Sequence, residues 1–157
     1  MCACAEGDAN IKESNNSNIF ILHSLNGDTL NYWGKNIKDV FTEKGIEVIA
    51  PEFPIRADSR YDRFKSILEV YLNNKMLNNN SIVIAHSIGN AYFIRFCEEF
   101  DFKPKIYIAV APGAIYEYPR TRNDYIVDVL KQSYLKKESL DYMKELNIIK
   151  YCIYSDE

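Results

Sequence analysis

The ten residues Ser81-Ile82-Val83-Ile84-Ala85-His86-Ser87-Ile88-Gly89-Asn90 constrain this chain more than any other stretch. Asn78-Asn79-Asn80 marks a turn, Ile82 to Ala85 is an apolar run of strand length, and Ala91, Ile94 and Cys97 then recur at helical spacing. A strand that enters a helix through a single serine has few solutions. The pattern Ala85-x-Ser87-x-Gly89 fits G-x-S-x-G with alanine for the first glycine, an arrangement that lifts a serine above a parallel sheet on a sharp turn. Its neighbours two residues away must be small so that strand and helix can pass closely. The first helical amide, on Ile88, then points where an oxyanion would form, aided by the positive end of the helix.

The remaining segments alternate between strand and helix. Ile19 to Leu22 reads as strand 1, followed by the loop His23-Ser24-Leu25-Asn26-Gly27-Asp28. Tyr32, Trp33, Ile37, Val40 and Phe41 form a helical stripe that Gly45 closes. Glu47 to Ala50 is strand 2, ended by Pro51, and Tyr61, Phe64, Leu68, Tyr71 and Leu72 mark a second helix. Lys105 to Val110 is strand 4 and Tyr151 to Tyr154 strand 5. Between them, further helices are expected around Ile126–Leu130 and Leu140–Leu146. Such alternation implies an α/β fold, a doubly wound parallel sheet with helices on both faces. Its economical order is 2-1-3-4-5, and ligands of such sheets bind where the order reverses, between strands 1 and 3. The loops beginning at His23 and His86 meet there.

A chain of 157 residues suits one domain: an arm over residues 1–18, polar and asparagine-rich, then the fold over 19–157. Apolar and charged fractions of 47% and 26% are those of a globular protein, and a net charge of -3 leaves no basic footprint for nucleic acid. No apolar run approaches a membrane span and no signal peptide opens the chain, so a cytoplasmic setting is expected. Cys97 and Cys152 read as small core residues. Cys2-x-Cys4 lacks the second ligand pair a metal needs, so neither a metal nor a cofactor is expected.

These residues carry a resemblance. His23-Ser24 at the strand-1 exit, Ala50-Pro51-Glu52-Phe53-Pro54, Ala85-His86-Ser87-Ile88-Gly89 and Val110-Ala111-Pro112 resemble the small single-domain serine hydrolases of the retinoblastoma-binding-protein-nine and YdeN type, in the α/β-hydrolase superfamily. The resemblance covers roughly Ile19 to Asp156. It implies Ser87 as nucleophile, Ile88 and Leu25 as oxyanion donors, Asp156 as triad acid and a small acyl compound as substrate. It also implies a histidine after one more strand. No histidine follows Asp156, so on this resemblance the chain is a C-terminally truncated member lacking the last strand, helix and triad histidine, with an exposed strand-5 edge prone to self-association.

The two histidines present suit the role of base poorly. His86 precedes the nucleophile and its side chain leaves the strand in the opposite sense, while His23 reads as a loop-orienting residue. Glu117, in the loop after strand 4, is an alternative acid or a solvated loop residue, and Trp33 either lines an acyl pocket or staples the first helix to the sheet. Three functions follow: a serine hydrolase of esters, thioesters or amides; a catalytically inactive hydrolase fragment acting as a binding domain; and a flavodoxin-like phosphate binder. The last is weakest, because no glycine-rich loop follows strand 1.

Overall fold

The structure, a computed structural model, describes residues 17–25, 27, 33–112, 135 and 137–153. Five parallel strands, β1 (Ile19–Leu22), β2 (Val48–Ile49), β3 (Ile82–His86), β4 (Ile106–Val110) and β5 (Ile149–Ile153), lie in the order β2-β1-β3-β4-β5. This is the doubly wound sheet expected from the alternation. Register sets Leu22 beside Ala85 and Ala85 beside Ala109, so the strands flanking the switch point end level with one another. Strand 5 begins at Ile149, two residues before the sequence-based expectation. Ile149 and Lys150 already pair with Ile106 and Tyr107, and a connection of only three residues separates them from the preceding helix.

Helices cover both faces. α1 (Trp33–Glu43) packs Trp33, Ile37 and Phe41 over Ile19, Ile21, Val48 and Ile84. α2 (Tyr61–Asn73), α3 (Ile88–Phe100) and α4 (Lys137–Glu145) close the opposite face over Phe20, Leu22, Val83, Ala85 and Tyr107. Trp33 therefore acts as the staple between first helix and sheet, one of its two readings. α1 ends as its glycine requires: Gly45 adopts φ 74°, its N–H donates to Thr42 and that of Ile46 to Phe41. The helix expected near Ile126–Leu130 lies outside the described residues.

Asn18, just before β1, is buried and bridges two segments. Its amide donates to the Met76 carbonyl at 2.6 Å and accepts from the Ser81 hydroxyl at 2.7 Å. Cys97 is buried in α3 as expected. Cys152 corrects the second cysteine expectation: it is exposed, because β5 is the outer strand of the sheet. Ile149, Tyr151 and Ile153 on the same strand are 50%, 56% and 53% exposed. Lys150 is exposed too, but its side chain folds back over the end of α4. Its ammonium donates to the carbonyls of Met143, Lys144 and Leu146 at 2.8–3.0 Å, satisfying acceptors that the end of α4 leaves open. Among the described residues, no helix is long and apolar enough to cross a membrane.

α2 and α3 are joined by a charged staple. The Arg95 guanidinium lies 3.9 Å over the Tyr61 ring and donates to Glu99 at 3.0 Å, with Lys65 3.5 Å from the same carboxylate. Partial burial pushes the Glu99 carboxyl up, but hydrogen bonds from Tyr61 and Arg95 and the two nearby cations outweigh it, and the group ionises more readily than usual. A carboxylate depressed in the folded state stabilises above its unfolded pKa, and that contribution is lost as pH falls through the folded value. Glu99→Gln should therefore lower the urea midpoint at neutral pH. The gap from wild type should close on acidification through pH 4 and below, as denaturation curves at stepped pH will show.

Candidate active site

The elbow forms because three separate demands meet at one residue. β3 must end at His86, α3 must begin at Ile88, and the turn between them leaves Ser87 with φ 52° and ψ −122°. That conformation is costly for any residue with a β-carbon, on the order of 1–3 kcal/mol, and persists only where its surroundings impose it. Here the Ser87 N–H donates to the Val110 carbonyl at 3.1 Å, tying the turn to the tip of β4. The Ser87 carbonyl accepts from the Asn90 backbone N–H and from its side-chain amide, both at 3.0 Å. Ser87 is half-buried while Ile88, Gly89 and Asn90 beneath it are buried, so the strained residue sits at the rim of a packed base.

Gly89 explains the second small position. A β-carbon there would stand 2.8 Å from the His23 carbonyl oxygen and 3.3 Å from that of Leu22. The start of α3 thus presses against the exit of β1 with only hydrogen between them. Ala85 meets the first small position: it is fully buried in β3, among the residues that α3 covers. The Ile88 N–H belongs to the first helical turn, whose amides have no intrahelical acceptor, and the positive end of α3 lies behind it.

The other side of the cleft is built by two loops stitched together. The Phe53 N–H donates to Nε2 of His23 at 3.0 Å, and the Arg56 N–H to the Leu25 carbonyl at 2.9 Å. Because Nε2 accepts, Nδ1 carries the proton and donates it to the Ser24 carbonyl at 2.6 Å. Both nitrogens of the buried His23 ring are thereby occupied in holding the Ser24–Leu25 and Phe53 backbones. The ring also packs against Phe53, which stacks on Phe64 at 4.2 Å. This is the loop-orienting histidine that its position suggested. Leu25, whose carbonyl accepts from the Arg56 N–H, is partly buried against the main core.

His86 stands on the other face. Its ring meets the edge of Trp33 at 5.7 Å on the α1 side of the sheet, and burial lowers its pKa below the ordinary histidine range. Asp156 and Glu117, the two candidate acids, lie outside the described residues. The structure thus brings Ser87, Ile88 and the Leu25 loop to the switch point and sets His86 apart from them. Among the described residues, no group of three or more histidine, cysteine, aspartate or glutamate side chains could hold a metal ion.

Sequence reasoning passed over Asn90 and Tyr107. The Tyr107 hydroxyl, buried in β4, donates to Oδ1 of Asn90 at 2.8 Å, and Nδ2 of Asn90 also reaches the Val110 carbonyl at 3.1 Å. A buried asparagine in the first turn of an otherwise apolar helix was the available signal, since such a group must find partners.

No protein-family model matches this sequence, and no curated protein matches it significantly. Solved structures do. The ydeN gene product from B. subtilis is similar with a TM-score of 0.61 and 17% identity, over 89% of this chain and 86% of that one. MGS-MChE2, an α/β hydrolase enzyme from the metagenome of sediments of the Mar Chica lagoon in Morocco, follows at 0.58 and 19%, over 88% and 80%. A monoacylglycerol lipase from Paleococcus ferrophilus gives 0.53 and 18%, covering 72% of this chain but 44% of the lipase. At these identities the likeness is one of fold, and the chain has a partial α/β-hydrolase fold.

The contact at Gly89 generates a direct test. Gly89→Ala should destabilise the chain by about 1–3 kcal/mol, because the added methyl meets backbone oxygens that cannot rotate away. Chemical denaturation should register this as a lower midpoint at unchanged slope. An equal exchange of Gly45 for alanine meets no atom within 4 Å and is opposed only by its φ of 74°, so it serves as the comparison.

Proposed function

We propose that this chain is a hydrolase of carboxylic esters, thioesters or amides that works through an acyl-serine intermediate at Ser87. The observation that carries the reading is the φ of 52° at Ser87, a strain held by three hydrogen bonds to Val110 and Asn90 at the carboxyl edge of the sheet. Arg56, Lys75, Asp101 and Ala111 also take positive φ, but of these five described residues Ser87 alone carries a hydroxyl and joins a strand directly to a helix. The fold's relatives include proteins described as an α/β hydrolase enzyme and a monoacylglycerol lipase, which supports the reaction class.

In the proposed reaction the Ser87 Oγ attacks the substrate carbonyl carbon and its proton passes to a base. The negative charge moves to the carbonyl oxygen, where the N–H groups of Ile88 and Leu25 receive it. Collapse breaks the bond to the alkoxide, thiolate or amine, which leaves with a proton. Water then repeats the sequence on the acyl-serine. We assign Asp156 as the acid that orients the base. Neither histidine of this sequence is placed to be that base, since His23 has both nitrogens engaged and His86 packs on the α1 side.

That same occupancy of the histidines favours a second reading, a hydrolase fold that retains the elbow without turnover and acts by binding. The outer edge of β5 would serve it. Ile149, Tyr151 and Ile153 are exposed apolar residues, and the ammonium of Lys150, the one charged residue of β5, is engaged with carbonyls at the end of α4. Self-association there belongs to this reading.

Intact-mass labelling with a fluorophosphonate decides between the two. Stoichiometric adduct on the wild-type chain and none on Ser87→Ala is the result expected of a working nucleophile. A folded wild-type chain that takes no label, or takes it equally in the variant, establishes the second reading.

A further inference from the structure

Asn90 is 2% exposed and lies in the first turn of α3, where asparagine is a poor helix former and a costly group to bury. Its side chain is nevertheless fully engaged. Nδ2 donates to the Ser87 carbonyl at 3.0 Å and to the Val110 carbonyl at 3.1 Å, and Oδ1 accepts from the Tyr107 hydroxyl at 2.8 Å. The two carbonyls can only accept, so the amino group must face them, and the tyrosine hydroxyl must then be the donor to the remaining oxygen. One of these bonds ends on the elbow itself, and the other two tie the same amide to β4.

The Ser87 carbonyl and the Ile88 N–H are opposite ends of one planar peptide unit. Gripping the oxygen therefore fixes the direction of the hydrogen. The backbone N–H of Asn90 already grips it at 3.0 Å, as any residue at that position could. The side-chain amide adds a second donor from the β4 side, and donors on a carbonyl oxygen polarise the N–H of the same peptide. Val110 reinforces the geometry, because its carbonyl receives both Asn90 Nδ2 and the Ser87 N–H. The two peptides flanking Ser87 are thus held by one clamp of three residues.

We propose that Asn90 is a positioning residue for the oxyanion donor. It sets the Ser87–Ile88 peptide so that the Ile88 N–H points into the cleft, and Tyr107 acts through Asn90 by fixing which way its amide faces. The function of the clamp rests on the hydrolase reading. Its mechanical effect on the peptide does not, and the two can be measured apart.

The test uses the full chain with Asn90→Ala and Tyr107→Phe. The first readout is the amide proton shift of Ile88 in ¹⁵N-resolved NMR spectra, which requires no turnover. The Ile88 resonance should move upfield in both variants, more in Asn90→Ala, while amides of α1 stay in place. The second readout separates the maximal rate of fluorophosphonate labelling from the reagent's half-saturating concentration. Asn90→Ala should lower the rate about 10- to 100-fold, below the loss for deleting an oxyanion donor outright, and leave half-saturation unchanged. A merely structural asparagine would lower the melting temperature and leave both readouts alone, which overturns the proposal. If Asn90→Ala does not fold, Tyr107→Phe decides: an unmoved Ile88 amide again overturns it. If the wild-type chain takes no label, the hydrolase reading fails by itself, and the Ile88 shift alone settles whether the clamp exists.

Discussion

Between the start of α3 and the end of β1 there is room for a hydrogen atom and nothing larger. A β-carbon on Gly89 would come within 2.8 Å of the His23 carbonyl oxygen, so the helix can seat against the sheet only if this residue has no side chain. The consequences spread outward from that contact. With α3 pressed down, the turn feeding it must be abrupt, and Ser87 takes a positive φ. With Ser87 strained, its peptide needs anchoring from β4 as well as from α3, and the Val110 carbonyl and the Asn90 amide supply it. The carbonyls of Leu22 and His23 are fixed by the same approach, which in turn sets the loop that carries Leu25.

Much of this was legible in the sequence because it is local. Ala85-x-Ser87-x-Gly89 names the small residues, the strained residue and the first helical amide within five positions, and the strand order follows from alternation and handedness. His23 was read correctly as an orienting residue from its place at the switch point, although its partner Phe53, thirty residues away, could not be named. What stayed hidden is non-local. Nothing in the spelling of Ile106-Tyr107-Ile108 distinguishes a tyrosine that anchors an asparagine seventeen positions earlier from one that fills a core.

Two errors have physical causes of their own. Cys152 sits in an apolar run and was expected inside, but hydrophobicity reports burial only where a second layer covers the strand, and β5 is the sheet's outer member. β5 starts early because Ile149 and Lys150 already pair with Ile106 and Tyr107 of β4, while the Lys150 ammonium reaches carbonyls at the end of α4. A lysine judged by composition says nothing about which acceptors lie within its reach.

That lysine links two elements usually considered separately. Its backbone pairs with Tyr107 in β4, and its ammonium closes the end of α4 through three carbonyl oxygens. Peeling the outer strand away would strip the helix of those donors, and fraying the helix would leave a cation beside an apolar strand. The opening of strand and helix is therefore coupled through this lysine. The least enclosed strand of the sheet and the helix before it make up one cooperative unit, whose amides should exchange with solvent at a shared rate set by a single local unfolding event.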